Sequence, residues 1–84
     1  MSRSELVGLA RAVAAAMFED RQRLTPAVIK KAQNKAFRVI NLADPTIGTA
    51  YHPFAAYSHG VSALAAEGVE QAQRAWTPAK KRRA

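Results

Sequence analysis

Apolar residues recur every three or four positions along three stretches of this chain, which is the spacing of an amphipathic helix. In the first stretch, Ser2 and Glu5 have capping-box spacing, in which the serine oxygen accepts a backbone N–H and the glutamate reaches back. We therefore predict a first helix over residues 3–21. Its apolar face comprises Leu6, Leu9, Ala10, Val13, Ala14 and Met17, with Val7 and Phe18 at the edge.

The second stretch has clear start and stop signals. Thr25 is a common type of N-cap, and Pro26 is well tolerated at the first helical position. Proline disfavours helical geometry in the residue before it, so Asp44-Pro45 should end the helix. We predict a second helix over residues 26–43. Its apolar face comprises Ile29, Ala32, Ala36, Val39, Ile40 and Ala43, with Val28 and Phe37 at the margins.

The third stretch is the longest. Pro53 can open a helix and Thr77-Pro78 should stop it, so we predict a third helix over residues 53–76. Gly60 should bend or weaken this helix, whereas Gly68 lies on its apolar face and would let another helix approach closely. The apolar face comprises Phe54, Tyr57, Val61, Leu64, Ala65, Gly68, Ala72, Ala75 and Trp76.

Three amphipathic helices in 84 residues predict an all-α protein, a small three-helix bundle forming a single domain over residues 1–76. Alanine makes up 19 of the 84 residues, so many apolar positions bury little area. We therefore expect closely packed helices and a core completed by a homodimer or a bound partner. Residues 77–84 carry no structural signal beyond the helix-stopping Thr77-Pro78 and are predicted to form a disordered basic tail.

The net charge of +7 and the pI of about 10.6 bear on partners rather than on fold. Residues 1–24 contribute +1, 25–43 contribute +4, 44–76 contribute −2 and 77–84 contribute +4. Positive charge is therefore concentrated in the second helix, which contains no acid, and in the tail. The cations of the two clusters are Lys30, Lys31, Lys35 and Arg38, with Asn34 among them, and Lys80, Lys81, Arg82 and Arg83.

These two clusters predict a nucleic-acid partner as the leading hypothesis, because each cation that meets a phosphate releases condensed counterions. Binding to DNA or RNA would serve a regulatory or accessory role. Phosphate contacts should dominate, because the face has few side chains of the types that read base edges. Asn34 and Arg38 are the exceptions. A lysine face that serves solubility is the simpler alternative.

Other partners fit the same chain. The main alternative is a phage- or plasmid-type protein–protein module, a regulator or inhibitor of a bacterial machine. The alanine- and arginine-rich amino-acid composition is typical of high-GC bacteria and of their phages and plasmids. Its interface would comprise Ile47, Tyr51, Phe54, Tyr57 and Trp76, although Trp76 also fits the end of the core. A DNA-binding helix-turn-helix motif fits the sequence less well, because the connection between the first two predicted helices lacks glycine. A basic amphipathic helix could also bind an anionic membrane.

The sequence carries no catalytic signature. It has no cysteine, no glycine-rich phosphate loop and no nucleophile elbow, and His52 and His59 do not have metal-ligand spacing. We therefore expect neither an enzyme nor a cofactor or metal site. No stretch is long and apolar enough to span a bilayer, and Arg11 interrupts the run that most resembles a secretory signal, so we expect a cytoplasmic protein.

Overall fold

The computed structural model describes residues 1–45 and 60–79. In chain order the helices are α1 (Arg3–Phe18), α2 (Pro26–Ala43) and α3 (Gly60–Ala75). Each helix contacts the other two, and α1 packs most extensively against α3. The predicted all-α class and three-helix bundle are confirmed. Over the described ranges there is no strand, and no helix has the length and hydropathy needed to cross a membrane.

The capping box of α1 is present, but the helix is shorter than predicted. The Glu5 backbone N–H donates to Ser2 Oγ (3.2 Å), and the Ser2 N–H donates to Glu5 Oε1 (2.9 Å). At the other end, α1 stops at Phe18, three residues before the predicted end at Arg21. The Phe18 carbonyl accepts the Arg21 N–H (3.1 Å) and the Trp76 indole Nε1–H (2.9 Å), so it is not left to continue the helix.

The bounds of α2 are those predicted. Thr25 is the N-cap, and its Oγ1 accepts the Val28 backbone N–H at 3.3 Å, while Pro26 occupies the first helical position. At the C-terminus the Asp44 N–H donates to the Ile40 carbonyl (2.9 Å), and the non-helical backbone of Asp44 (φ −132°, ψ 83°) turns the chain out of the helix.

Helix α3 runs to Ala75, one residue short of the predicted end. The Trp76 N–H donates to the Gln73 carbonyl (3.3 Å) in a last, tighter turn. The predicted start at Pro53 lies outside the described residues. Beyond α3, the Ala79 N–H donates to the Arg21 carbonyl (3.1 Å), so the first residues of the predicted tail contact the α1–α2 connection. Residues 80–84 lie outside the described residues.

The core is rich in alanine, as the composition suggested. Six of the thirteen buried apolar residues are alanines, which bring the helices close but bury little area each. Phe18 was expected at the edge of the α1 face, yet it is fully buried. The buried apolar residues are Leu6, Val7, Ala10, Ala14, Phe18, Val28, Ala32, Ala36, Ile40, Leu64, Ala65, Val69 and Ala72.

The apolar face of α1 is rotated relative to the prediction. The stripe at every fourth position, from Leu6 to Phe18, is buried, whereas Leu9, Val13 and Met17 are half-buried beside it. The rotation follows from the closeness of α3, which packs on this stripe at Gly68. A Cβ atom added to Gly68 would lie 2.4 Å from Ala10 Cβ, which confirms the predicted close approach at this glycine.

Candidate nucleic-acid interface

One side of α2 carries the predicted cluster of cations. We call it the α2 basic face, and it consists of Lys30, Lys31, Asn34, Lys35 and Arg38, all of which are exposed. The opposite side packs into the core and contains the four buried residues Val28, Ala32, Ala36 and Ile40. Burial of that side fixes the rotation of the helix, so the cations are presented to solvent together. The structure thus confirms their common exposure.

The cations of α1 and α3, by contrast, interact with neighbouring side chains. Arg3 forms an ion pair with Glu67 across α1 and α3, and Arg74 pairs with Glu70 one turn earlier on α3. Arg11 Nη1 donates to Gln71 Oε1 at 3.4 Å. These contacts direct much of the positive charge of α1 and α3 towards partners within the bundle.

The α2 basic face has no such compensation within the described ranges 1–45 and 60–79. There, none of Lys30, Lys31, Lys35 and Arg38 forms an ion pair or a hydrogen bond through its side chain. The helix itself contains no aspartate or glutamate. The acid that follows it, Asp44, is buried and lies 3.4 Å from the N-terminal ammonium. The face is therefore a source of uncompensated positive potential.

The remaining acids lie on other elements. Glu67 and Glu70 belong to α3, while Glu19 and Asp20 follow α1. Glu5 is occupied in the capping box, where the Ser2 backbone N–H and then the Ser2 hydroxyl hold the pKa of its carboxyl group below the ordinary value. Negative charge is thus kept to α1, α3 and the ends of the helices.

An aromatic side chain borders the α2 basic face, and the sequence assigned it no function. Phe37 was placed at the margin of the apolar side, but it is 40% exposed. It lies in a groove between α2 and α3 whose α3 wall consists of Ser62, Ala65 and Ala66. The signal was available on the helical wheel, since Phe37 is about 60° from Asn34 around the helix axis.

Trp76 is the one residue of the alternative protein interface that the structure describes. It is half-buried against the core, where it lines a second groove, between α1 and α3, together with Ala15 and Ala72, and its indole N–H is already bonded to the Phe18 carbonyl. This geometry agrees with its expected place at the end of the core. The other residues of that interface, Ile47, Tyr51, Phe54 and Tyr57, lie outside the described residues, as do Lys80, Lys81, Arg82 and Arg83 of the tail.

The described part of the chain offers little for metal chemistry. In residues 1–45 and 60–79, no group of three or more His, Cys, Asp or Glu side chains could hold a metal ion. His52 and His59 lie outside those ranges.

Comparison of the chain with protein-family models, with curated proteins and with solved structures gave no match.

Proposed function

We propose that the protein binds nucleic acid through the α2 basic face, mainly by contacts with phosphate groups. The observation that supports this proposal is the combination of four exposed cations on one helix with the absence of ion-pair partners for them in the described residues. A cation already paired with a carboxylate gains little from a phosphate, whereas an unpaired one releases a condensed counterion on contact. The face is therefore better suited to a polyanion than α1 or α3.

The dimensions of the face suit a short stretch of backbone. Lys30 and Arg38 are eight residues apart, which corresponds to about 12 Å along the helix axis. In duplex geometry one strand rises about 3.4 Å along the helix axis per phosphate, so the length of the face corresponds to about four nucleotides of a strand in that geometry. In this arrangement the three lysines contact phosphates as point charges. The planar guanidinium group of Arg38 can donate two parallel hydrogen bonds to one phosphate.

The C-terminal cations extend the proposal. Residues 80–83 form a run of four cations that follows Ala79, whose N–H is held by the Arg21 carbonyl. We propose that this run adds electrostatic contacts without sequence preference. We propose a regulatory or accessory role for such a module, whose phosphate contacts carry no sequence information.

The proposal is tested by removing charge from the face without disturbing the fold. The variant K31Q/K35Q/R38Q lowers the net charge from +7 to +4 and keeps residues that favour helix. We expect its affinity for a labelled oligonucleotide, measured by fluorescence anisotropy at low salt, to fall about tenfold or more.

The matched control removes the same charge elsewhere. The variant R3Q/R11Q/R74Q also has a net charge of +4, but its three arginines lie on α1 and α3 and have partners there. We expect its affinity to change by less than about threefold, which corresponds to about 0.6 kcal/mol. Equal losses in the two variants, or no oligonucleotide binding by the wild type, would refute the proposal. Binding to anionic vesicles in place of oligonucleotides would point to a membrane instead.

A further inference from the structure

Phe37 is a large aromatic residue in an unusual position for a small core. It is the one aromatic residue of α2, and 40% of it is exposed while alanines occupy buried positions of the same helix. Full burial of a phenylalanine is strongly favourable, so a chain with an alanine-rich core forgoes stabilisation by leaving this ring at the surface. The exposed part of the ring is therefore available to a partner outside the core.

The opposing helix covers the ring only in part. The α3 wall of the groove at Phe37 consists of Ser62, Ala65 and Ala66, whose side chains are too short to cover a phenyl ring. The α2 wall adds the amides of Gln33 and Asn34. The ring thus borders a groove with an apolar floor and hydrogen-bonding groups on one side.

The ring also lies beside the uncompensated charge. Phe37 directly precedes Arg38, and it is about 20° from Lys30 around the helix axis, two turns away. The Asn41 Nδ2 group donates to the Phe37 carbonyl at 2.8 Å, which places a further amide one turn along the same side. Charge complementarity therefore favours a polyanion as the partner that brings an apolar, planar group to this groove.

We infer that Phe37 is a stacking platform for an unpaired base, and that the protein therefore binds single-stranded nucleic acid in preference to duplex. This inference rests on the proposed function. Every base has a π-face that can stack on an aromatic ring, whereas the bases of a duplex are already stacked and paired. Phosphates of the same strand lie on the α2 basic face, and the Gln33 and Asn34 amides flank the base.

A second exposed apolar residue on α2 provides a matched control. Leu42 is 81% exposed, more than Phe37, but it has no π-system and lies about 140° away around the helix axis. A single exposed leucine is common on protein surfaces and needs no partner. If exposure of apolar area alone drove binding, Leu42 would contribute at least as much as Phe37.

The test compares a single strand with the duplex of the same sequence and length, at several salt concentrations. Phe37→Leu keeps an apolar side chain but removes the ring, and we expect it to lower affinity for the single strand about tenfold while leaving the duplex affinity unchanged. Phe37→Tyr keeps the ring and should retain affinity within about threefold. Leu42→Ala should also leave both affinities unchanged. The salt dependence should be the same in all four proteins, because no charge is altered.

Stacking itself is measured in the double variant Phe37→Trp with Trp76→Phe, which places the one tryptophan at the groove. Its fluorescence should be quenched on addition of a single-stranded oligonucleotide and should change little with duplex. Equal affinity of the wild type for both forms, equal effects of Phe37→Leu and Leu42→Ala, or an unquenched tryptophan in the bound state would overturn this inference and leave the proposed function intact. If the wild type shows no salt-dependent binding to either form, both this inference and the proposed function are overturned.

Discussion

Gly68 of α3 lies against Ala10 of α1 so closely that a Cβ atom on the glycine would be 2.4 Å from the alanine Cβ. The same Cβ would lie 2.7 Å from the Arg11 backbone nitrogen and from the Val7 carbonyl oxygen. Two of these three neighbours belong to the backbone of α1, which cannot move away without shifting the helix. The contact therefore sets how closely α1 and α3 approach. The packing of the alanine-rich core depends on this distance.

Gly68→Ala should destabilise the protein by about 1 to 3 kcal/mol, because the added methyl group forces the helices apart. The matched control is Gly8→Ala on α1, where an added Cβ would meet no atom within 4 Å. There the usual preference of helices for alanine applies, and the variant should be stabilised by up to about 1 kcal/mol. Urea denaturation followed by circular dichroism measures both.

A second change separates the backbone contacts from the side-chain contact. Ala10→Gly removes the nearest atom but leaves the Val7 and Arg11 backbone atoms in place, so it should not restore the stability of Gly68→Ala. Destabilisation by Gly68→Ala together with stabilisation by Gly8→Ala would support the close contact. Stabilisation by both would show that α1 and α3 are farther apart than described.

The indole of Trp76 links the end of α3 to the end of α1 through its bond to the Phe18 carbonyl. Trp76→Phe keeps an aromatic ring but loses this donor, and it should lower the free energy of unfolding by about 1 kcal/mol. The loss should be modest because the Phe18 carbonyl retains the Arg21 N–H. Leu42→Ala, at an exposed position, should change stability by less than about 0.5 kcal/mol. Equal effects in urea titrations would mean that the indole bond contributes nothing.

The Glu5 carboxylate makes the start of α1 sensitive to acid. Its pKa in the folded protein is lowered by the bonds to Ser2, so the ionised form favours folding. The contribution is fully present above the pKa of the unfolded chain and is lost as the pH falls through the lower, folded pKa. Glu5→Gln should therefore narrow the stability difference between neutral pH and about pH 2. An unchanged pH profile, from urea titrations across this range, would contradict the assigned role of the carboxylate.

Local signals predicted the helices well where they act within a few residues. The Thr25 cap with Pro26 and the Asp44-Pro45 stop gave both bounds of α2, and the Ser2–Glu5 spacing gave the start of α1. The end of α1 could not be predicted in this way. Phe18 is bonded by Trp76, which is 58 residues away in sequence, and no local pattern reports such a contact.

The two parts of the candidate site differ in the same respect. Exposure of the α2 cations was predictable, because burial of an unpaired charge is too costly for a helix to turn that side inwards. For Phe37 the helical wheel gave its place beside Asn34 but not the extent of its exposure, which depends on the small residues that α3 places opposite the ring, Ser62, Ala65 and Ala66. The roles of Ile47, Tyr51, Phe54 and Tyr57 stay predictions.

The central claim is that the α2 basic face meets phosphates, and the salt dependence of binding tests it most directly. The logarithm of the binding constant for a single strand should fall linearly with the logarithm of salt concentration, with about 0.7 of slope for each phosphate contact. Removing three contacts in K31Q/K35Q/R38Q should therefore reduce the slope by about 2, whereas R3Q/R11Q/R74Q should keep the slope of the wild type. A wild-type slope near zero, or the same slope in all three proteins, would contradict the account.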